Sequence, residues 1–334
     1  MNFIEKLNFS QKVLKAIIFK KRLPLVVGWR ITEKCNLRCK YCGCFEEDHE
    51  EVDVASIFKI IEELCNLGTK FISFGGGEPL LREDLPEIIN FCKSKKIYVS
   101  INSNGTLIKQ RIKEIHNIDA IKLSLDGPRH INDAIRGLGV HDKVIEAIEI
   151  CKKENIKVDI VTVISKDNIS HIPYVLEVAG KHSIGVYFQP ADENHFSNRD
   201  KREHVICDEE DFKEIINFLI GKKLGGNKFI NNSITGLKHL YYWPKSRKMP
   251  CLRRLFSCDI EPDGRIFICD NFPNHQKYLV SIKSTFKETF NNLSLPHPCR
   301  QCWTASIVEF NLMASFRPAN IAYMWGKFKS GLFN

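Results

Sequence analysis

The chain has 334 residues, 43% of them apolar and 27% charged, with a formal net charge of +9. This length suggests one large domain with an appendage, and the apolar share is ample for a packed core, which excludes a disordered chain. No uninterrupted apolar stretch approaches the roughly 20 residues of a membrane-spanning helix.

The 13 cysteines are grouped. Three lie between Cys35 and Cys42 and five between Cys251 and Cys302, while Cys44, Cys65, Cys92, Cys151 and Cys207 are scattered. Such grouping, in a chain with no secretory signal, reads as metal binding in a reducing compartment and points to a cytoplasmic protein. Metal-bound thiolates carry negative charge, so the excess of Lys and Arg is weak evidence for nucleic acid, and no nucleic-acid partner is expected.

Residues 1–24 place Ile4, Leu7, Val13, Leu14, Ile17 and Ile18 at roughly helical spacing among Lys6, Lys12, Lys15, Lys20, Lys21 and Arg22. A basic amphipathic helix of this kind either caps the bottom of a barrel, the favoured reading, or lies on an anionic membrane surface.

Residues 25–190 alternate short β-rich runs with amphipathic helical patterns, the signature of a parallel α/β sheet. Strands are predicted near 25–31, 70–74, 97–101, 120–125, 158–164 and 185–188. Helices are predicted near 53–67, 84–95, 107–116, 142–154 and 169–181. Six strands are too few to close an eight-stranded barrel, and chemistry is expected at their carboxyl ends.

Directly after the first strand comes Cys35-Asn-Leu-Arg-Cys39-Lys-Tyr-Cys42. Three thiolates at this spacing can hold three irons of a 4Fe-4S cube and leave the fourth without a protein ligand, since such cubes usually take four cysteines. The alternative is a zinc knuckle completed by His49. After the second strand, Gly75-Gly76-Gly77-Glu78-Pro79 lets main chain approach closely. The third strand runs into Asn102-Ser103-Asn104-Gly105, by itself a turn signal, and the fourth into Ser124-Leu125-Asp126-Gly127 with Arg136 following.

In these motifs the chain closely resembles the radical S-adenosylmethionine (radical SAM) superfamily. The resemblance implies a partial (β/α)6 TIM-type barrel. It implies a 4Fe-4S cluster on Cys35, Cys39 and Cys42 whose open iron is filled by SAM. Tyr41 stands where an aromatic residue accompanies the adenine. Gly76, Gly77 and Glu78 match the motif that receives the SAM amino group. Asn102 and Ser103 are placed beside the nucleoside, Ser103 where relatives carry threonine. Ser124 and Arg136 match a pair on the SAM carboxylate, which suits the two parallel hydrogen bonds of a guanidinium. Gln189, at the end of the sixth strand, is placed near adenine.

Residues 191–249 read as a polar loop, a helix near 208–221 and a linker over 221–232. Residues 250–305 hold Cys251, Cys258, Cys269, Cys299 and Cys302, with Pro262-Asp263-Gly264 as a hairpin turn between two β runs. This segment resembles the shortened "twitch" form of the SPASM auxiliary domain. It implies one auxiliary 4Fe-4S cluster on Cys251, Cys269, Cys299 and Cys302, with Cys258 as spare or alternative ligand. A zinc ribbon is the simpler reading. Asp270 resembles an acid of sulfatase-maturing relatives that takes a substrate proton, and is the candidate catalytic residue. The apolar segment 306–334 either docks on the barrel or joins the amino terminus in a peripheral membrane contact.

The implied activity is reductive cleavage of SAM to a 5'-deoxyadenosyl radical, which abstracts hydrogen from a substrate carbon. The cofactor carries the chemistry and the barrel supplies position. A peptide or protein is the first substrate class, and a small molecule or membrane lipid intermediate the second. A reducing partner such as flavodoxin or ferredoxin is implied. From another class, a non-enzymatic zinc-binding interaction module would bind zinc and no SAM.

Overall fold

The computed structural model describes residues 16, 18–46, 49–191, 205–245, 249, 251–269, 285–293 and 302–313. Six runs rich in Val, Ile and Phe form parallel strands: β1 (Val26–Thr32), β2 (Phe71–Gly76), β3 (Tyr98–Ser103), β4 (Ala120–Ser124), β5 (Lys157–Ile164) and β6 (Gly185–Pro190). They pair side by side in chain order. Helices α1 (Val54–Leu67), α2 (Leu85–Ser94), α3 (Ile108–Arg111), α4 (Arg129–Arg136), α5 (Val140–Lys153) and α6 (Ile172–His182) supply the crossovers. Local chemistry sets their ends. Asp53 caps α1 by accepting the Ser56 amide at 2.8 Å, and Gly68, with φ 100°, terminates it in the left-handed region.

Alternation divides each strand between two faces. Val27, Trp29 and Ile31 of β1, Phe74 of β2 and Phe188 of β6 are fully buried in the layer between sheet and helices. Removing side chains of this size from water contributes on the order of 2–3 kcal/mol each. The opposite face lines the lumen and is polar: Ser73 pairs with Ser100, and Asn102, Lys122 and Asp159 lie in one register across β3, β4 and β5.

The predicted strands and helices are found with shifts of one to three residues at their ends, with two differences. The pattern near 107–116 is helical only over α3. The helix α4 was not predicted, because Ile131 and Ile135 are its only large apolar residues and a span of eight residues shows little periodicity.

The carboxyl-terminal third is less separate than its motifs imply. The Pro262-Asp263-Gly264 turn does join two antiparallel strands, β7 (Ser257–Ile260) and β8 (Ile266–Phe267). However, β7 pairs in parallel with β1, so the hairpin extends the barrel sheet to eight strands. The expected linker over 221–232 is also different. Helix α7 (Glu209–Leu224) runs further than predicted, and the next residues bond along the edge of β6. Val186 donates to the Phe229 carbonyl at 2.7 Å, and Asn232 clamps both backbone groups of Phe188. An edge strand with open backbone groups favours such pairing.

Short helices α8 (Ile234–Leu240), α9 (Arg253–Phe256) and α10 (Phe286–Asn292) follow, and α11 (Ala305–Met313) buries Val308 and Leu312 against the body. Ala16 packs with Leu25 and Phe256, whereas Ile18 and Phe19 are exposed beside Lys20 and Lys21. Residues 1–15 and 17 of the expected amino-terminal helix, residues 192–204 and residues 314–334 lie outside the described residues. Among the described residues, no helix is long and apolar enough to cross a membrane.

Arg82 ties the ends of this frame together. Its guanidinium donates to the Ile31 carbonyl at 2.9 Å and the Val52 carbonyl at 2.7 Å, and pairs with Asp84 through two further bonds. Replacing it with Ala strands two carbonyls and a carboxylate, so Arg82→Ala is expected to lower unfolding free energy by about 2–4 kcal/mol. A loss below about 1 kcal/mol in urea titration would show that water satisfies these groups equally well.

Candidate active site

The cysteine loop begins where β1 leaves the sheet. The register with β2 slips between Arg30 and Thr32, a bulge that bends the strand outward. The loop is then fastened on several sides. Asn36 donates to the Thr106 hydroxyl at 2.8 Å and accepts from the Asn104 amide at 2.8 Å, which ties it to the exit of β3. The Lys40 amide donates to the Ile135 carbonyl at 2.9 Å, which ties it to α4.

Cys35, Cys39 and Cys42 are all half-buried. Burial raises the Cys35 thiol and pushes Cys39 up to about 11, the latter offset in part by the Arg136 guanidinium. Cys42 is held down at about 6 by a hydrogen bond from Cys44, whose sulfur lies 3.1 Å away. The Leu37 amide points at the Cys35 sulfur at 3.4 Å. Metal ligation needs thiolates, and these donors and the nearby cation favour them. Among the described residues, no three His, Cys, Asp or Glu groups converge on a single-ion site. His49, the fourth ligand in the zinc reading, is bonded to Glu33 through both its ring and its amide at 2.8 Å. Three thiols on one loop, with His49 taken up by Glu33, are a donor set that fits a cluster with three protein ligands.

The glycines of β2 have a packing role. A Cβ on Gly76, whose φ is +120°, would sit 2.0 Å from the Thr32 carbonyl oxygen, and one on Gly77 would sit 2.2 Å from that of Lys34. Their absence lets the Gly77 and Glu78 amides donate to Thr32 and Lys34, each at 2.8 Å, so the exit of β2 presses against the root of the cysteine loop.

Glu78 is fully buried. One of its oxygens accepts from the Ser103 hydroxyl at 2.8 Å and the Leu80 amide at 3.2 Å, and the other from the Asn104 amide at 2.7 Å. The side chains of Glu78 and Ser103, both placed beside SAM by the sequence motifs, thus bond to each other inside the wall. Asn102 is exposed on the lumen face.

Sequence reasoning assigned no role to Asp126, which holds the mouth together. This fully buried carboxylate accepts from the Tyr41 hydroxyl and the Arg136 Nε, both at 2.7 Å, and from the Val163 amide at 3.1 Å. Burial opposes the Arg136 cation, but Asp126, Tyr41 and Cys39 outweigh it and its pKa is raised. Tyr41 is raised as well, by burial first. Ser124 is half-buried two residues before Asp126. The Gln189 side chain accepts the Ala305 amide at 3.1 Å and so reaches toward α11. The signal for Asp126 was present as an acid ten residues before Arg136, but only the strand end shows that they meet.

In the second cysteine group, Cys251, Cys269 and Cys302 are half-buried, whereas Cys299 and Asp270 lie outside the described residues. Asn311 joins Cys302 to the residue after Cys251. Its amide nitrogen lies 3.6 Å from the Cys302 sulfur and its oxygen accepts the Leu252 amide at 2.9 Å. Cys258 is fully buried on β7, in register with Val27 on the core face.

Burial pushes the Glu78 carboxyl up to about 7 from 4.5, against the pull of its three donors. The folded protein then keeps a proton that the unfolded chain releases between these values, so stability falls as pH rises through that window. The unfolding free energy of the native protein minus that of Glu78→Gln should fall by up to about 3 kcal/mol between pH 5 and pH 8. A flat difference would exclude the buried proton. Asp126→Asn leaves the Arg136 cation buried without its counter-charge and should cost about 3–5 kcal/mol in denaturant unfolding, partly recovered in Asp126→Asn/Arg136→Met. A cost below about 1 kcal/mol would remove Asp126 from this role.

Residues 29–179 match the family model described as the radical SAM superfamily. Among curated relatives, "Fe-coproporphyrin III synthase" of Methanosarcina barkeri is 34% identical over 174 residues, 50% of this chain and 43% of that protein. "GTP 3',8-cyclase" of Clostridium perfringens is 33% identical over 171 residues, 47% of this chain and 52% of that protein. These matches span about half the length of the relatives. Among solved structures, Streptococcus suis SuiB bound to S-adenosylmethionine superposes with a TM-score of 0.67 at 18% identity, covering 89% of this chain and 72% of SuiB. That likeness establishes the shared fold. Residues 29–179, with the three-cysteine loop at the carboxyl edge of the parallel strands, are thus a radical SAM domain.

Proposed function

We propose that this chain is a hydrogen-abstracting radical SAM enzyme that modifies a peptide or protein, with a second 4Fe-4S cluster beside the barrel. The observation that carries the reading is the fastening of the Cys35–Cys42 loop over the lumen by Asn36, Lys40 and Tyr41. A cluster held by Cys35, Cys39 and Cys42 would supply the electron for reductive SAM cleavage and, through it, hydrogen abstraction from a substrate carbon.

In this reading Cys35, Cys39 and Cys42 hold the cluster. The Gly76 and Gly77 main chain, Asn102 and Ser124 line the SAM site, while Glu78 and Ser103 position that wall from within. Arg136 is bound to Asp126 through Nε alone among the described residues, which leaves its terminal nitrogens for the SAM carboxylate. Tyr41, fixed by Asp126, keeps its ring under the guanidinium at 5.4 Å from its carbon. Cys251, Cys269, Cys299 and Cys302 hold the auxiliary cluster. This is supported by the Asn311 link between the Cys302 sulfur and the residue after Cys251, and by the burial of Cys258 in the core. The peptide class is supported by the breadth of the likeness to SuiB, a protein also solved bound to precursor peptide SuiA. A small anionic molecule is the second reading, favoured by the polar lumen face of β3, β4 and β5.

Anaerobically reconstituted protein should carry about eight irons and release 5'-deoxyadenosine from SAM with dithionite. Joint replacement of Cys35, Cys39 and Cys42 with Ala should leave about four irons and no 5'-deoxyadenosine. Cys251→Ala should also lose about four irons, whereas Cys258→Ala should keep all of them and lose about 1–2 kcal/mol of stability. Stoichiometric zinc without SAM cleavage would discard the reading in favour of a structural zinc module.

A further inference from the structure

The inside of a closed barrel of this type is ordinarily filled by branched apolar side chains. This lumen instead carries a lysine at mid-depth. Lys122 sits in register between Asn102 of β3 and Asp159 of β5, two residues deeper than Ser124 on the same face. At the rise of a strand that is about 7 Å below the site occupied by Ser124.

The Lys122 ammonium has no hydrogen bond or ion pair among the described residues. Burial lowers its pKa, and the field of Asp159 only partly restores it. Asp159, its neighbour in register, also accepts the Asn231 amide at 2.9 Å. Gly185 makes that bond feasible, since a Cβ there would lie 2.0 Å from the Asn231 nitrogen. Of the other cations on this face, Arg30 is paired with Glu261 at 3.1 Å, while Lys157, two residues before Asp159, lowers the Lys122 pKa further. Above Lys122 lies the Tyr187 ring, 5.9 Å from the ammonium. Beside it are the exposed amide of Asn102 and the hydroxyls of Ser73 and Ser100, 3.1 Å apart. A partly desolvated cation with no carboxylate in ion-pair contact is costly to maintain, and an arriving anion relieves that cost.

We infer that Lys122, with Asn102 and the Ser73–Ser100 hydroxyls, is a subsite for an anionic group of the substrate, a carboxylate or a phosphate. The inference rests on the proposed function, in which the substrate enters the lumen beneath SAM. A carboxylate there anchors the far end of the substrate while the carbon to be attacked remains near the mouth. It can come from an acidic side chain of a peptide or from a small organic acid.

The test is titration of the full-length protein by calorimetry, with four probes: glutarate, inorganic phosphate, a short peptide with one Glu, and the same peptide with Gln. At least one anionic probe should bind, with affinity at least about tenfold weaker in Lys122→Met and largely restored in Lys122→Arg. Binding of the Glu peptide over glutarate assigns a peptide source, and the reverse a small acid. In parallel, reductive dimethylation of Lys122 followed by mass spectrometry should slow at least about fivefold with the bound anion and not with the Gln peptide. No anion binding, or equal binding to Lys122→Met, overturns the subsite. SAM cleavage by the native protein is read separately. If cleavage is absent while anion binding depends on Lys122, the radical reading fails and the subsite stands. If cleavage is intact and no anion binds, the subsite alone fails.

Discussion

The mouth of the barrel depends on one buried carboxylate. Asp126 receives a phenol from the cysteine loop, a guanidinium from the end of α4 and an amide from β5. Three separate segments therefore share one acceptor. Taking the two charges of Asp126 and Arg136 out of water costs free energy, so the pair is weak evidence for stability as such. What it supplies is geometry. With both donors on one carboxylate, the cysteine loop is tied to α4 and β5. The cation also lies close enough to Cys39 to counter the effect of burial on that thiol.

Glu78 works in the same way on the opposite wall. Its donors come from both sides of the β3 exit and from the turn after Pro79, and the glycines ahead of it let β2 touch the root of the cysteine loop. A motif read as a ligand contact is, in its side chain, a brace. Both walls thus fix their loops with a buried acid.

The parts of the site legible in the sequence are those with short local signals. The spacing of Cys35, Cys39 and Cys42, the alternation of strand and helix, and the Pro262-Asp263-Gly264 turn all act within about ten residues, where pattern and chemistry coincide. Cys258 could be singled out because its neighbours read as a strand, and it does lie on the core side of β7. The pairing of β7 with β1 was not legible, since it joins residues more than two hundred positions apart. Asp126, Asn311 and Asn231 escaped for the same reason: each bonds a partner fixed only by register or by helix docking. The expected linker carried Gly and Asn, which signal a turn, but nothing local reveals that Asn231 and Asn232 meet an open strand edge.

Charge is distributed unevenly with depth. At the mouth, Asp126 and Glu78 are satisfied from within, and near β7 Arg30 is paired with Glu261. One layer deeper, Asp159 accepts the Asn231 amide and the Lys122 ammonium has no carboxylate in ion-pair contact. A group already satisfied can hold a loop but gains little from a visitor, whereas an unsatisfied one gains by binding. The division follows from that asymmetry. The mouth is braced because its two buried acids are closed by donors from several segments, which suits positioning a reactive cofactor. The deeper layer is open because its cation is not, which makes it the part of the barrel able to distinguish one substrate from another.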